Sequence, residues 1–281
     1  MPAFEELVEE GEAVPTAGWD FSWFAGRASE QRPSWGYARL LAERMAKAAA
    51  GLDIQTGGGE VLASIPVAPP VLAATESWPP NIAIARRTLA KFDATVVEAE
   101  DASDLPFLKE SFDLVVSRHP VVTRWDEVRR VLRPGGVYLA QHVGSGSVRE
   151  LTEFMMGPQG PRSQSVSAAT TYAGTSPIAA VTGAEAAGLD VVDVRQEALR
   201  VEFHDIAAVV HFLRKVIWIV PGFTVDAYRE RLAELHSFIE RHGPFVAHSQ
   251  RFLIEAHRRR QEAMVGGSGV RRANADWPGV G

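Results

Sequence analysis

Leu52-Asp53-Ile54-Gln55-Thr56-Gly57-Gly58-Gly59-Glu60 is the stretch whose reading sets the fold. Residues 51–55 read as a short strand, apolar and then polar, that runs straight into three glycines, with a helix expected beyond. Glycine at such a bend lets the backbone approach a ligand closely, because no Cβ stands in the way. The helix N-terminus beyond offers unpaired N–H groups to the ligand's negative end. A nicotinamide-enzyme fingerprint needs glycines spaced G-x-G-x-x-G. Counting from Gly57, Leu62 falls in the third place, so that pattern fails. A phosphate loop needs a Gly-Lys pair, and none is present.

Outward from this bend the chain alternates between strands and helices. Before it, apolar spacing predicts a helix from Ser34 to Ala50, preceded by an irregular arm over 1–34 with one short helix. After it, strands are predicted at 70–75, 94–97, 112–116 and 137–143, with helices at 81–91 and 127–132. The second of these helices is stopped by Pro134-Gly135-Gly136. Residues 144–177, rich in Gly, Ser, Thr and Pro, read as a long loop, either a functional cover or disordered. A helix at 177–187 and a strand at 189–195 resume the pattern. Two helical stretches follow, 206–220 and 225–241, then a last strand at 251–256 and an unfolded tail over 259–281. Seven strands, mostly continuous apolar runs alternating with helices, imply a parallel α/β sheet covered on both faces.

Composition narrows the function. The 281 residues carry a net charge of −6, which argues against general affinity for nucleic acid or anionic membrane. Without cysteine, a disulfide, a thiolate metal site and a cysteine nucleophile are all excluded. The start is acidic (Glu5, Glu6, Glu9, Glu10, Glu12), the reverse of a secretory signal. No apolar run approaches the ~20 residues that span a bilayer. A cytoplasmic protein is expected.

Beyond the bend, three further segments carry a signal. Glu76 follows the second strand, nineteen residues past Gly57, where an acidic side chain can accept both ribose hydroxyls of a nucleotide-like ligand. Glu100-Asp101-Ala102-Ser103-Asp104-Leu105-Pro106-Phe107 precedes Phe112-Asp113-Leu114-Val115-Val116, and Glu127–Gly136 reads EVRRVLRPGG. The bend resembles D-x-G-x-G-x-G, the first motif of class I S-adenosylmethionine-dependent methyltransferases, with Gln55 in place of the first glycine. The later segments are similar to the G-D-A-x-x-L-P-F…F-D-x-V and E-x-x-R-V-L-x-P-G-G runs of the same family, with Glu100 in place of a glycine. The C-terminal part resembles a bacterial group of these proteins, of the type 11 kind.

That resemblance implies a Rossmann-like, doubly wound sheet of seven strands with the last antiparallel. It implies a methyltransferase domain over 35–258, with its cofactor-binding core at 51–143 and a helical cover at 204–242. The implied cofactor is S-adenosyl-L-methionine, held by Asp53, Gln55, Gly57, Gly59, Glu76, Asp101, Ala102 and Ser117. Asp101 would contact the adenine amino group and the Ala102 amide a ring nitrogen. Methyl transfer is an in-line displacement in which the protein binds, orients and excludes water. The acceptor is expected beyond the ends of strands four and five. His119 is the candidate base or orienting group there, His142 the second, and Arg118 a candidate holder of an acidic substrate. His204, Asp205, His211, Arg214, Lys215 and Trp218 are the candidates on the cover. His204 and His211 lack metal-ligand spacing, so no metal is expected. The expected partner is a small-molecule acceptor methylated on O or N, with at most a second copy of the chain as a homodimer. The alternatives are a catalytically silent cofactor-binding protein and, behind it, an RNA methyltransferase.

Overall fold

A computed structural model describes residues 3–16, 21–157 and 175–260. Its centre is β2 (Ala50–Ile54), whose first four residues are buried. Asp113 fixes where this strand begins, its carboxylate accepting the N–H groups of Ala49 and Ala50 at 2.9 and 2.8 Å. Beside β2, all parallel to it, run β3 (Val71–Glu76), β4 (Thr95–Glu98), β5 (Phe112–Arg118) and β6 (Leu132–Val143). Next to β6 lies β8 (Phe245–Arg258), antiparallel to it, and then β7 (Leu189–Phe203).

The described sheet has eight strands, not seven, in the order β1-β7-β8-β6-β5-β2-β3-β4. The extra strand comes from the expected irregular arm: β1 (Ala28–Glu30) pairs antiparallel with Val201–Phe203. It has a place to pair because β7 is fifteen residues long, not the seven of 189–195. A long free edge is an aggregation liability, and β1 covers part of it. The arm also holds helix α1 (Phe4–Ala13). Trp19 and the tail from 261 onward lie outside the described residues.

Helices cover both faces. On one, α2 (Tyr37–Met45), α3 (Glu60–Ala63) and α4 (Pro79–Leu89) bury Leu41, Met45, Leu62, Ile82 and Leu89 against Leu114 and Val116. On the other, α5 (Trp125–Val131) and α7 (Pro177–Ala186) pack Val128, Val131, Ala180 and Ala184 on Val115, Tyr138 and Ile254. Two positional corrections matter. Residues 149–156 form helix α6 inside the expected loop, with Leu151 and Met155 buried. The remainder of that loop, 158–174, is not among the described residues. Helix α8 (Ile206–Lys215) stops five residues early, and α9 spans Val225–His242. Together α1, α6, α8 and α9 enclose a separate core with Phe203, Phe245 and Ala247, at the β7–β8 side of the sheet. Among the described residues no helix is long and apolar enough to cross a membrane.

Candidate active site

The glycine bend sits at the carboxyl end of β2, and backbone geometry explains its composition. Gly57 and Gly59 have φ of +63° and +78°, in the left-handed region that side chains rarely adopt. At Gly59 a Cβ would also lie 2.9 Å from Leu89 Cγ, so close helix packing excludes any larger residue. At Gly57 a Cβ would meet nothing within 4 Å, and the bend therefore faces open space there. Thr56 closes the turn from within. Its N–H bonds Thr75 O at 2.9 Å, and its hydroxyl donates to Asp53 Oδ2 at 2.7 Å. Asp53 is buried, and burial pushes its carboxyl up to about 7.

Three carboxylates come together at the ends of β2 and β3 and beyond β4. Glu76, also buried, turns onto the bend: Oε2 accepts Gly57 N–H at 2.7 Å and Oε1 accepts Trp78 N–H at 3.1 Å. Asp101 is half-buried, and burial followed by the nearby Glu76 and Glu100 raises its pKa, against a hydrogen bond from Ser77. Ala102 is exposed, and its carbonyl accepts Arg124 Nη1 at 2.7 Å. The next residues are clamped to α5. Glu127, buried, accepts Leu105 N–H at 2.6 Å and two hydrogen bonds from Arg130, whose guanidinium also reaches Leu105 O and Phe107 O. The third and fourth sequence signals are therefore two halves of one clamp.

At the end of β5, Ser117 is buried and its hydroxyl donates to Ile54 O at 2.7 Å, tying β5 to β2. His119 has φ +59°, unusual for a residue with a side chain. Its ring belongs to a chain of hydrogen bonds that sequence reasoning missed. Trp35 Nε1 donates to Gln141 Oε1 at 2.9 Å, and Gln141 Nε2 lies 2.9 Å from His119 Nε2. The indole N–H can only donate, so it fixes the amide orientation, and Gln141 presents a donor to the imidazole. His119 Nε2 must then accept, and the neutral ring carries its proton on Nδ1. Burial, then Arg118 and Arg251, lower the His119 pKa well below the usual imidazole range. Arg118 is exposed, and its register opposite Gln141 puts both on the same face of the sheet.

His142 lies on the opposite face of β6 from Gln141, buried and stacked on Phe252 with ring centroids 4.6 Å apart. Burial lowers its pKa to about 3, and Nε2 has no hydrogen-bond partner among the described residues. The cover candidates stand apart from the strand ends. Trp23 and Phe24 flank His211, Arg214 bonds the carbonyls of Gly11 and Val14, and Asp205 caps α8. Among the described residues no three His, Asp or Glu side chains group as metal ligands.

Gln55, read in the sequence as a departure from the glycine motif, has partners that the sequence does not show. Its φ is +57° and its carboxamide crosses to the segment after β5, with Oε1 accepting Val121 N–H at 2.6 Å and Nε2 donating to Val122 O at 2.8 Å.

Residues 52–140, which hold the carboxyl ends of β2, β3, β4 and β5, match the family model described as a methyltransferase domain. By that match, residues 52–140 carry a methyltransferase domain. Similar solved structures share its fold. A Bacillus halodurans C-125 protein described provisionally as a methyltransferase is 15% identical, with a TM-score of 0.54 over 79% of this chain and 98% of its own. The YcgJ protein of Bacillus subtilis is 17% identical, with a TM-score of 0.54 over 79% and 97%. A Deinococcus radiodurans R1 protein of unknown function is 15% identical, with a TM-score of 0.51 over 91% and 98%. No curated protein matches this sequence. The donor set of this site fits an adenosyl ligand, since the Gly57 bend is open and a carboxylate oxygen has room for two hydrogen bonds.

Proposed function

We propose that this methyltransferase binds S-adenosylmethionine across the carboxyl ends of β4, β3, β2 and β5, and methylates an oxygen or nitrogen of a small molecule over β5 and β6. The observation that carries the reading is Glu76. Its carboxylate uses one acceptor site per oxygen on Gly57 and Trp78, leaving one on each for the two ribose hydroxyls. Asp101 and the Ala102 amide lie one strand further on, where the adenine edge would be read. When bound, S-adenosylmethionine supplies an electrophilic methyl group for in-line displacement.

On the acceptor side, the bond to Gln141 occupies the His119 Nε2 lone pair that a general base would need. The Nδ1–H remains to donate, so His119 orients an acceptor by its lone pair and does not take its proton. Arg118, exposed beside it and without an ion-pair partner among the described residues, favours an acceptor that carries negative charge. A net charge of −6 supports a small molecule over RNA.

A second reading, a cofactor-binding protein without turnover, is favoured by the Gln55 crossing. Calorimetry with S-adenosylmethionine and its demethylated product tests the shared part, since no heat with either rejects both readings. Labelled cofactor with a metabolite extract separates them: a labelled product supports the enzyme, and binding without any labelled product supports the silent protein.

A further inference from the structure

Sheet order alone lays out the ligand. If Asp101 beyond β4 and Glu76 at the end of β3 hold adenine and ribose, the 5′ substituent lies one or two strands on, roughly 5–10 Å away over β2 and β5. The Gln55 carboxamide occupies that gap. It offers one acceptor to Val121 N–H and one donor to Val122 O. An amino acid's carboxylate and ammonium would offer the same pair. The backbone at Gln55 is left-handed, and so is that at His119, the residue which opens the facing segment. Two such conformations without glycine, on adjacent strand ends and joined by a two-point bond, mark a latched arrangement. The crevice between residues 101–105 and 117–124, lined by Ile54, Leu105, Ser117, Val122 and Tyr138, holds only about 20 Å³.

We propose that the Gln55 carboxamide is a built-in occupant of the amino-acid end of the cofactor site, so that the latched protein prefers an adenosine with a short neutral 5′ substituent over a full-length S-adenosyl amino acid. This rests on the cofactor reading above. A ligand with an amino-acid tail must displace the amide from Val121 and Val122, whereas a truncated nucleoside leaves it in place.

The test is calorimetric titration of 5′-methylthioadenosine and S-adenosylhomocysteine into the full chain and its Gln55→Gly and Gln55→Ala variants. Glycine suits the +57° backbone, so the first variant retains the fold, and thermal melting of both checks it. S-adenosylhomocysteine is expected to bind at least ~10-fold tighter to both variants, as for two competing hydrogen bonds removed. The affinity of 5′-methylthioadenosine is expected to change less than ~3-fold, since it meets neither bond. Unchanged S-adenosylhomocysteine affinity with 5′-methylthioadenosine still bound overturns the latch and leaves the cofactor reading intact. Failure of both nucleosides to bind any form overturns the cofactor reading and the latch with it.

Discussion

Asp53→Asn is expected to stabilise the protein at alkaline pH and to do so much less at acid pH. The carboxyl is 7% exposed and its pKa is raised to about 7, chiefly by burial. In the unfolded chain it ionises near the ordinary value of about 3.9. A folded pKa raised above the unfolded one means that the contribution of Asp53 is whole below about pH 4. It declines as pH rises and reaches its full loss just above pH 7. The gap corresponds to about 4 kcal/mol at most, of which about 2.5 kcal/mol falls between pH 5 and pH 8. Asparagine keeps an acceptor for the Thr56 hydroxyl and cannot ionise, so the variant lacks this slope. Urea unfolding followed by tryptophan fluorescence, on both proteins at pH 5 and pH 8, isolates the difference, because every other titrating group is common to the two. A stability difference that stays constant within error across that range would refute the claim that a buried, protonated Asp53 underlies the bend.

Other consequences are open to measurement. Glu127→Ala strips a partner from Leu105 N–H and from Arg130, and should cost about 2 kcal/mol in urea unfolding, the range for charged hydrogen bonds between a buried carboxylate and a partly exposed guanidinium. Gly59→Ala places a Cβ 2.9 Å from Leu89 on a backbone with φ +78°, and should cost about 2–3 kcal/mol by the same assay. Trp35→Phe removes the N–H that orients Gln141, so the amide is free to turn its oxygen toward His119. The His119 pKa, followed by proton NMR titration, should then rise, and an unmoved value would disprove the chain of orientation. Arg118→Ala should raise the KM for an anionic acceptor about tenfold, as for one lost charged hydrogen bond, while a neutral acceptor is unaffected.

Much of the fold is readable in one dimension because each feature is local. The run 52–60 announces a strand, a bend and a helix start within nine residues. Apolar strands at 71–76, 95–98 and 112–118 follow the same alternation. The parts that escaped are those set by contact. Nothing in Ala28-Ser29-Glu30 marks a strand until β7 extends far enough to pair with it. Helix α6 is short and lies in a glycine- and serine-rich stretch, and its burial of Leu151 and Met155 against the α8–α9 core is what holds it helical. The end of β7 was missed because polar residues interrupt it, a pattern that pairing with β8 on one edge and β1 on the other overrides.

The site divides along the same line, and Gln55 indicates where. The residue types proposed to hold an adenosyl group, a glycine bend with carboxylates behind it, lie in short motifs, so Glu76 could be named from its spacing and Asp101 from the family resemblance. Their partners could not: Gln55 meets Val121 across 66 positions and Trp35 meets Gln141 across 106. As a sequence letter, Gln55 is a departure from a glycine motif. In three dimensions it is an exchange of one energy for another. A side chain held in the left-handed region costs about 1 kcal/mol relative to glycine. Two hydrogen bonds to half-buried backbone groups return about 1–3 kcal/mol together. Glycine would be conformationally easier, yet it would leave Val121 N–H and Val122 C=O to solvent or to a ligand. The substitution is therefore near neutral for the fold, and its physical effect falls on what may occupy the gap between β2 and β5.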